Sequence, residues 1–241
     1  MDSAIPMDSG TPPDAGSPTG RVTDGLVLLY TFDEGGGSVV HDVSGVPPAL
    51  DLVAAEPGNL AWGPGALRIT DSTILDNPDP ATKLVDACTE SGNITIEAWV
   101  RPAALDQSGP ARIFTLSQDT GERNFTLGQS ESRVIVRLRT GGTSENGTPA
   151  VFTPPCSFVP RLTHVVYTYG DNGVVTIYLD GEVAAGANVG AGLDGWDPDY
   201  TLALANEHGE QRTWLGDVHL VAIYCRALTA DEVSANLEAG P

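Results

Sequence analysis

The sequence predicts an all-β fold: two antiparallel sheets packed as a sandwich, closed by a short C-terminal helix. Three observations carry this. Ten short apolar or alternating stretches follow one another with no long helical pattern between them. Clusters of Gly, Pro, Asn and Asp separate them, and the 241 residues include 28 Gly and 18 Pro. Only 18% of residues are charged, as expected where many short strands are joined by turns.

The alternation places strands at 25–32, 66–70, 93–101, 111–118, 123–129, 133–140, 163–169, 174–180, 200–205 and 215–225. Asp171-Asn172-Gly173 forms a hairpin turn between two of them, since Asn-Gly supports the positive φ that tight hairpins need. Asp180-Gly181 makes the next turn. At the end, Thr229 and Glu232 have capping-box spacing, Val233 and Leu237 supply an apolar stripe, and Gly240 stops the helix.

Residues 1–20, MDSAIPMDSGTPPDAGSPTG, stand apart from the folded part at 21–241. They have almost no large apolar residue and cannot bury enough surface to offset their ordering entropy. They read as a flexible linker or stalk, which implies export and display at an extracellular, cell-surface or periplasmic location. No apolar run is long enough to span a membrane, so no direct membrane insertion is expected. The start shows no secretory signal, so the chain is expected to begin after a removed one. A net charge of −20 repels nucleic acid and anionic lipid, which excludes both as expected partners.

Three cysteines cannot form a closed set of bridges. Cys88 follows Ala81, Leu84 and Val85 at helical spacing, so it is open to being a buried thiol on a short helix. Cys88 and Cys156 each lie a few residues before a strand, which leaves a bridge between them open. Cys225, which with Ile223 alternates with Tyr224 and Arg226 in the last strand, then reads as a free thiol.

One strand has binding character. In RVIVRLRT, Val134, Val136 and Leu138 share the side expected to face the core, while Arg133, Ile135, Arg137 and Arg139 share the other. The preceding strand carries Arg123 and Gln129, and Tyr178 points outward from VVTIYLDG. An Arg stripe flanked by Tyr and Gln on an acidic chain fits an acidic sugar, because Arg forks bind carboxylate or sulfate bidentately and a Tyr ring stacks on a sugar face. The competing reading is that these arginines form structural ion pairs. Trp196, between Gly195 and Asp197 in a polar loop, is the candidate exposed sugar platform; Trp62, Trp99 and Trp214 read as packing residues.

Five segments in order carry a family resemblance: GLVLLYTFDEG (Gly25 to Gly35), HDVSG (His41 to Gly45), ITIEAWVRP (Ile94 to Pro102), VVTIYLDG (Val174 to Gly181) and WLGDVHLVAIYCRAL (Trp214 to Leu228). Together they resemble the laminin-G-like domains of the concanavalin A-like lectin/glucanase superfamily, over roughly residues 24–238. The resemblance implies a jelly-roll sandwich. It also implies a calcium ion at the rim, held by the Asp of the D-x-S-G loop, here Asp42, and an Asp in the closing strand. At that strand position this chain has His219, with Asp217 two residues earlier. Catalytic relatives place paired carboxylates in an E-x-D-x-x-E strand, which this sequence lacks. Lyase-type residues exist on separate strands, among them His164 and Tyr167, but without a surrounding family motif.

The expectation is therefore a non-catalytic carbohydrate-binding or adhesion module of an exported or surface protein, with a glycan or polysaccharide partner, anionic in the reading of the Arg stripe. The alternative is a protein–protein interaction domain of a surface assembly. A polysaccharide lyase or glycoside hydrolase is the more distant reading.

Overall fold

The computed structural model describes residues 20–107, 109–209 and 212–241. The segment read as a stalk lies, apart from Gly20, outside the described residues. Strands β1 (Leu26–Tyr30), β2 (Val39–Val40), β3 (Leu52–Ala54), β4 (Leu60–Gly63), β5 (Ala66–Ile69) and β6 (Leu75–Asp76) precede helix α1 (Thr82–Ser91). Then come β7 (Ile94–Pro102), β8 (Ala111–Ser117), β9 (Arg123–Ser130), β10 (Arg133–Leu138), β11 (Val151–Phe152) and β12 (Thr163–Tyr169). Strands β13 (Val174–Leu179), β14 (Glu182–Asn188), β15 (Thr201–Leu204) and β16 (Gly216–Tyr224) lead into helix α2 (Ala230–Ala239).

Among the described residues these strands form two eight-stranded sheets. The first runs β14-β13-β12-β7-β16-β5-β4, with β1 also paired to β16; the second runs β11-β10-β9-β8-β15-β6-β3-β2. The pairings are antiparallel throughout, as the alternation predicts. Alternation also assigns the faces. In β7, Ile94, Ile96, Ala98 and Val100 enter the core, and in β12 Val165, Tyr167 and Tyr169 do so. They meet Phe114, Leu116, Phe125, Leu127, Val134 and Val136 of the second sheet. Each such buried side chain contributes on the order of 1.5–3 kcal/mol. Asp180 and Gly181 sit at φ 50° and 81°, the two positive values that a tight hairpin between twisted strands requires.

The outer face of the first sheet is covered in part by α2. Trp99, Val166, Tyr178, Leu220 and Ala222 form a second apolar cluster with Leu228 and Val233, and Leu237 packs against it. The capping box is present: Glu232 N–H donates to Thr229 Oγ1 at 3.3 Å, and Glu232 accepts from Thr229 N–H at 2.8 Å.

All ten predicted strands are present. Six more, β2, β3, β4, β6, β11 and β14, escaped the sequence reading. Five are two to four residues long, too short to show a period. The sixth, β14, is an edge strand exposed along most of its length, so nothing selects apolar residues on one side.

The cysteine reading needs correction. Cys88 is bonded to Cys225, with Cα atoms 4.5 Å apart, and Cys156 is the free, exposed thiol. The reason lies in facing. Cys88 continues the buried stripe of α1 with Leu84 and Val85, and Cys225 continues the inward side of β16 with Val221 and Ile223. Cys156 sits in a surface loop.

Candidate functional site

The outer face of the second sheet collects an unusual surplus of positive charge. Across it, Thr115 of β8 pairs with Thr126 of β9, and Thr126 with Arg137 of β10, so small hydroxyl side chains form the floor. Arg112 of β8 and Arg123 of β9 lie on this floor, both buried, and both reach Glu207. Arg112 Nε donates to Glu207 Oε2 at 2.8 Å, and Arg123 lies 3.3 Å from the same oxygen. Ser117 Oγ donates to the other oxygen at 2.5 Å. Glu207 comes from the turn after β15, which Ala205 enters at φ 69°.

Arg137 and Arg212 complete the cluster. Arg137 donates to Asn146 Oδ1 at 2.6 Å, and the Arg212 carbonyl accepts from Arg112 N–H at 2.8 Å, which fixes Arg212 to the edge of β8. Arg112 and Arg123 thus share one carboxylate, while Arg137 and Arg212 add two more like charges nearby. Burial, then Arg112, lower the Arg123 guanidinium to about 10. Burial, then Arg112 and Arg212, lower Arg137 as well. The Nε atoms of Arg123, Arg137 and Arg212 are buried and have no hydrogen-bond partner among the described residues. A face with surplus cations and unused donors is electrostatically prepared for an anion.

Of the residues named from sequence, the structure brings Arg123 and Arg137 together and separates the rest. Arg123 is an internal ion-pair member, so for it the structural reading holds. Gln129 is buried: it accepts from Trp214 Nε1 at 2.8 Å and donates to the carbonyls of Ala104 and Glu131 at 2.8 Å, leaving no capacity for a ligand. Arg139 points toward Glu145, 3.7 Å away, at the far end of its strand. Tyr178 does face outward from its strand, but on the opposite sheet and beneath the α2 cluster. Trp196 is no exposed platform: it is buried in the core near Phe125, and its Nε1 donates to the Arg139 carbonyl at 2.9 Å. The sequence reading missed Arg112, Arg212 and Glu207. Arg112 carried a signal, being a lone charge in ARIFTLS; Glu207 carried none, because its partners lie 84 and 95 residues away.

A second polar cluster lies on the outer face of the first sheet. Glu97 is buried and accepts from Arg21 at 2.5 Å, His164 Nε2 at 2.9 Å, Asn236 Nδ2 at 2.7 Å and Tyr224 Oη at 3.3 Å. Burial pushes its carboxyl up, but the His164 hydrogen bond and the Arg21 charge outweigh that and hold it below the usual range. Burial, with Glu97 adding to it, pushes Tyr224 up to about 12. Asn236 belongs to α2, and Arg21 also donates to the Gly240 carbonyl, so the helix seals this cluster.

A sequence model of the concanavalin A-like lectin/glucanases superfamily matches residues 76–234. The chain belongs to that superfamily. No curated protein sequence matches it. Among solved structures, this concanavalin A-like chain is similar to a Trypanosoma rangeli sialidase in complex with sialic acid, with TM-score 0.63 and 19% identity over 88% of this chain and 32% of that one. It is also similar to the receptor-binding domain of a botulinum neurotoxin C/D mosaic serotype, with TM-score 0.67 and 13% identity over 91% of this chain and 52% of that one. A third is a structure of botulinum neurotoxin type C, whose cell entry depends on interaction with two ganglioside molecules, with TM-score 0.65 and 13% identity over 89% of this chain and 51% of that one. At these identities the likeness is one of fold. The chain spans about a third to a half of the solved chains it matches.

The calcium ligands expected from the superfamily do not fit the ion. Asp42 accepts from Lys83 Nζ at 2.6 Å and from the N–H groups of Ser44 at 3.0 Å and Leu50 at 3.2 Å, so an ammonium of this chain neutralises it. Asp217 is held by Arg68 at 2.6 Å and Arg101 at 3.1 Å. Each carboxylate already has its cation. Among the described residues no group of three or more His, Cys, Asp or Glu converges to hold a metal.

Proposed function

We propose that this concanavalin A-like domain is a non-catalytic carbohydrate-binding module, and that an acidic sugar docks on the arginine face of the second sheet. The observation that carries the reading is a cluster of four arginines with a single glutamate between two of them, on a chain of net charge −20. A uronate or sulfate group would use the unpaired edges of Arg137 and Arg212, the two less buried members, while Arg112 and Arg123 supply field from below. The neighbours solved with sialic acid, or tied to gangliosides, support a glycan as the ligand class. The non-catalytic part rests on the sealing of Glu97, His164 and Tyr224 under α2, which keeps substrate from that titratable cluster. The Cys88–Cys225 bond accords with an exported or surface location, since disulfides persist in oxidising compartments. Among the described residues no helix is long and apolar enough to cross a membrane.

The test is a panel of anionic and neutral oligosaccharides titrated into the wild type and the Arg137→Ala/Arg212→Ala double variant. Binding of uronate- or sulfate-bearing sugars but not of neutral ones, lost in the variant, is the expected result. Equal binding by both proteins would remove the arginine face from the reading.

A second reading, docking of a protein partner, draws on one feature. Strand β14 is an edge of the first sheet, and Val183 on it is 66% exposed. Such an edge offers unpaired backbone groups to another strand. Silence of the glycan panel would move the search to that edge.

A further inference from the structure

The first sheet carries another set of unspent donors, away from α2 and on the opposite side of the sandwich from the arginine face. Strand β16 pairs there with β5 on one side and β7 on the other, and the register sets Asp217 directly between Arg68 and Arg101. Asp217 takes Arg68 through Nε at 2.6 Å and Nη2 at 3.0 Å, and Arg101 through Nε at 3.1 Å. Two cations therefore share one carboxylate. The terminal nitrogens of Arg101 have no protein acceptor among the described residues, and its side chain is 44% exposed.

Two cavities open on this triad, of about 310 and 390 Å³, and Arg68, Arg101 and Asp217 line both. The triad stands between them as a shared wall, so the groove is the pair of cavities flanking it, each with its own chemistry. The first cavity adds His219, whose Nε2 is buried without a partner. Burial lowers the pKa of its imidazole, with the Asp217 charge opposing it. The second cavity adds an apolar shelf of Ile69, Pro102, Ala103, Pro160 and Leu215.

We infer that this groove is a second ligand site, for an N-acylated sugar that bears a carboxylate. The carboxylate pairs with the free fork of Arg101, a ring hydroxyl hydrogen-bonds with His219 Nε2, and the acyl methyl lies on the shelf of the second cavity. The combination is selective, since a ligand lacking the hydroxyl leaves His219 Nε2 unpaired and one lacking the acyl group leaves the shelf bare. Nothing in this argument depends on the arginine face of the second sheet.

The test is calorimetric titration of the whole chain with N-acetylneuraminic acid, glucuronic acid and glucose as probes. The Arg137→Ala/Arg212→Ala double variant serves as background, so that only the groove is read. In that background N-acetylneuraminic acid is expected to bind at least tenfold tighter than glucuronic acid, with glucose silent. Adding Arg101→Ala, or separately His219→Phe, is expected to weaken it about tenfold or more. Asp217 keeps Arg68 in the first variant and the ring shape is kept in the second, so both should fold. Unchanged affinity in both variants would overturn the site, as would loss of all binding in the background variant itself. If instead the background binds like wild type at one saturable site that Arg101→Ala abolishes, the arginine-face reading fails and the groove stands alone.

Discussion

The two outer faces of the sandwich treat buried charge in opposite ways. On the first sheet, the Glu97 carboxylate is met by Arg21, His164, Asn236 and the Tyr224 hydroxyl, leaving His164 Nδ1 without a partner among the described residues, and α2 closes over the set. On the second sheet, Glu207 has two buried arginines and two more close by, and three guanidinium Nε atoms have no partner. A polar cluster whose charges match is a structural joint; one left with surplus charge is prepared for something outside the chain. Here the matched cluster docks a helix, and the unmatched one faces outward from the fold.

Removing either glutamate should cost about the same, and that makes the contrast testable. Glu97→Ala strands Arg21 and His164, and Glu207→Ala strands Arg112 and Arg123. Each should lose about 3–5 kcal/mol, because an uncompensated buried charge remains. For a chain of this size that lowers Tm by about 6–20 °C. The two variants should differ in rescue. Added sulfate or glucuronate should restore part of the Tm of Glu207→Ala beyond its effect on the wild type, by standing in for the lost carboxylate. It should do little for Glu97→Ala, whose cluster is sealed. Equal rescue of both by calorimetric scanning would erase the distinction. Glu97 also sets an acid limit. Its folded carboxyl lies below the usual range, so its stabilisation is complete above about pH 4.5 and is lost as pH falls through the lower folded value.

The next effect belongs to the sealed side. The Cys88–Cys225 bond ties α1 to the end of β16 across a sequence separation of 137 residues. Cys225→Ser should lower stability by about 2–4 kcal/mol, largely by freeing the unfolded chain. In the native wild type, a thiol reagent should modify one cysteine, Cys156, rising to three after denaturation and reduction. A native count of three would disprove the bond.

On the open side the sign reverses. Arg137→Ala/Arg212→Ala removes like charges crowded around Arg112, so stability should change by no more than about 0.5 kcal/mol. The affinity for an acidic oligosaccharide should fall about 10- to 100-fold, the worth of one or two charge-assisted hydrogen bonds. The same titration in chelator should match the titration in calcium, because Lys83 and the Arg68–Arg101 pair already neutralise Asp42 and Asp217.

The two faces also differ in how much of them the sequence carried. Strand alternation in β7, β10 and β12 was legible because one side of each strand meets a continuous apolar core. It placed Arg137 outward correctly. It went wrong where a local polar pattern hid burial: Trp196 sits among Gly and Asp, yet its indole fills the core and spends its N–H on the Arg139 carbonyl. Gln129 looked like a surface amide until Trp214, 85 residues away, supplied a donor for it. The partner of Cys88 was legible in principle, since Ile223 and Cys225 share a side and Ile223 is core. Glu207 was not, because ion-pair partners leave no spacing signal across a sheet.

The smallest predicted effect tests the lid of the sealed face. Glu232 closes the capping box of α2 and forks onto Arg226 at 2.6 and 2.9 Å. The Arg226 hydrogen bond, helped by Thr229 and opposed by burial, lowers its carboxyl to about 2. A folded value below the unfolded one means stability that is present above about pH 4.5 and fades as pH falls through about 2. Glu232→Gln should therefore cost about 1 kcal/mol at neutral pH, solvent screening keeping the ion pair modest, and progressively less as pH falls toward and below the folded value. If the helix is only a lid, hydrogen exchange at Asn236 and the other α2 amides should quicken while the amides of β9 and β10 stay protected. Quickening on both faces would mean that the sealed cluster and the arginine face open together, and that α2 steadies the binding side as well as its own.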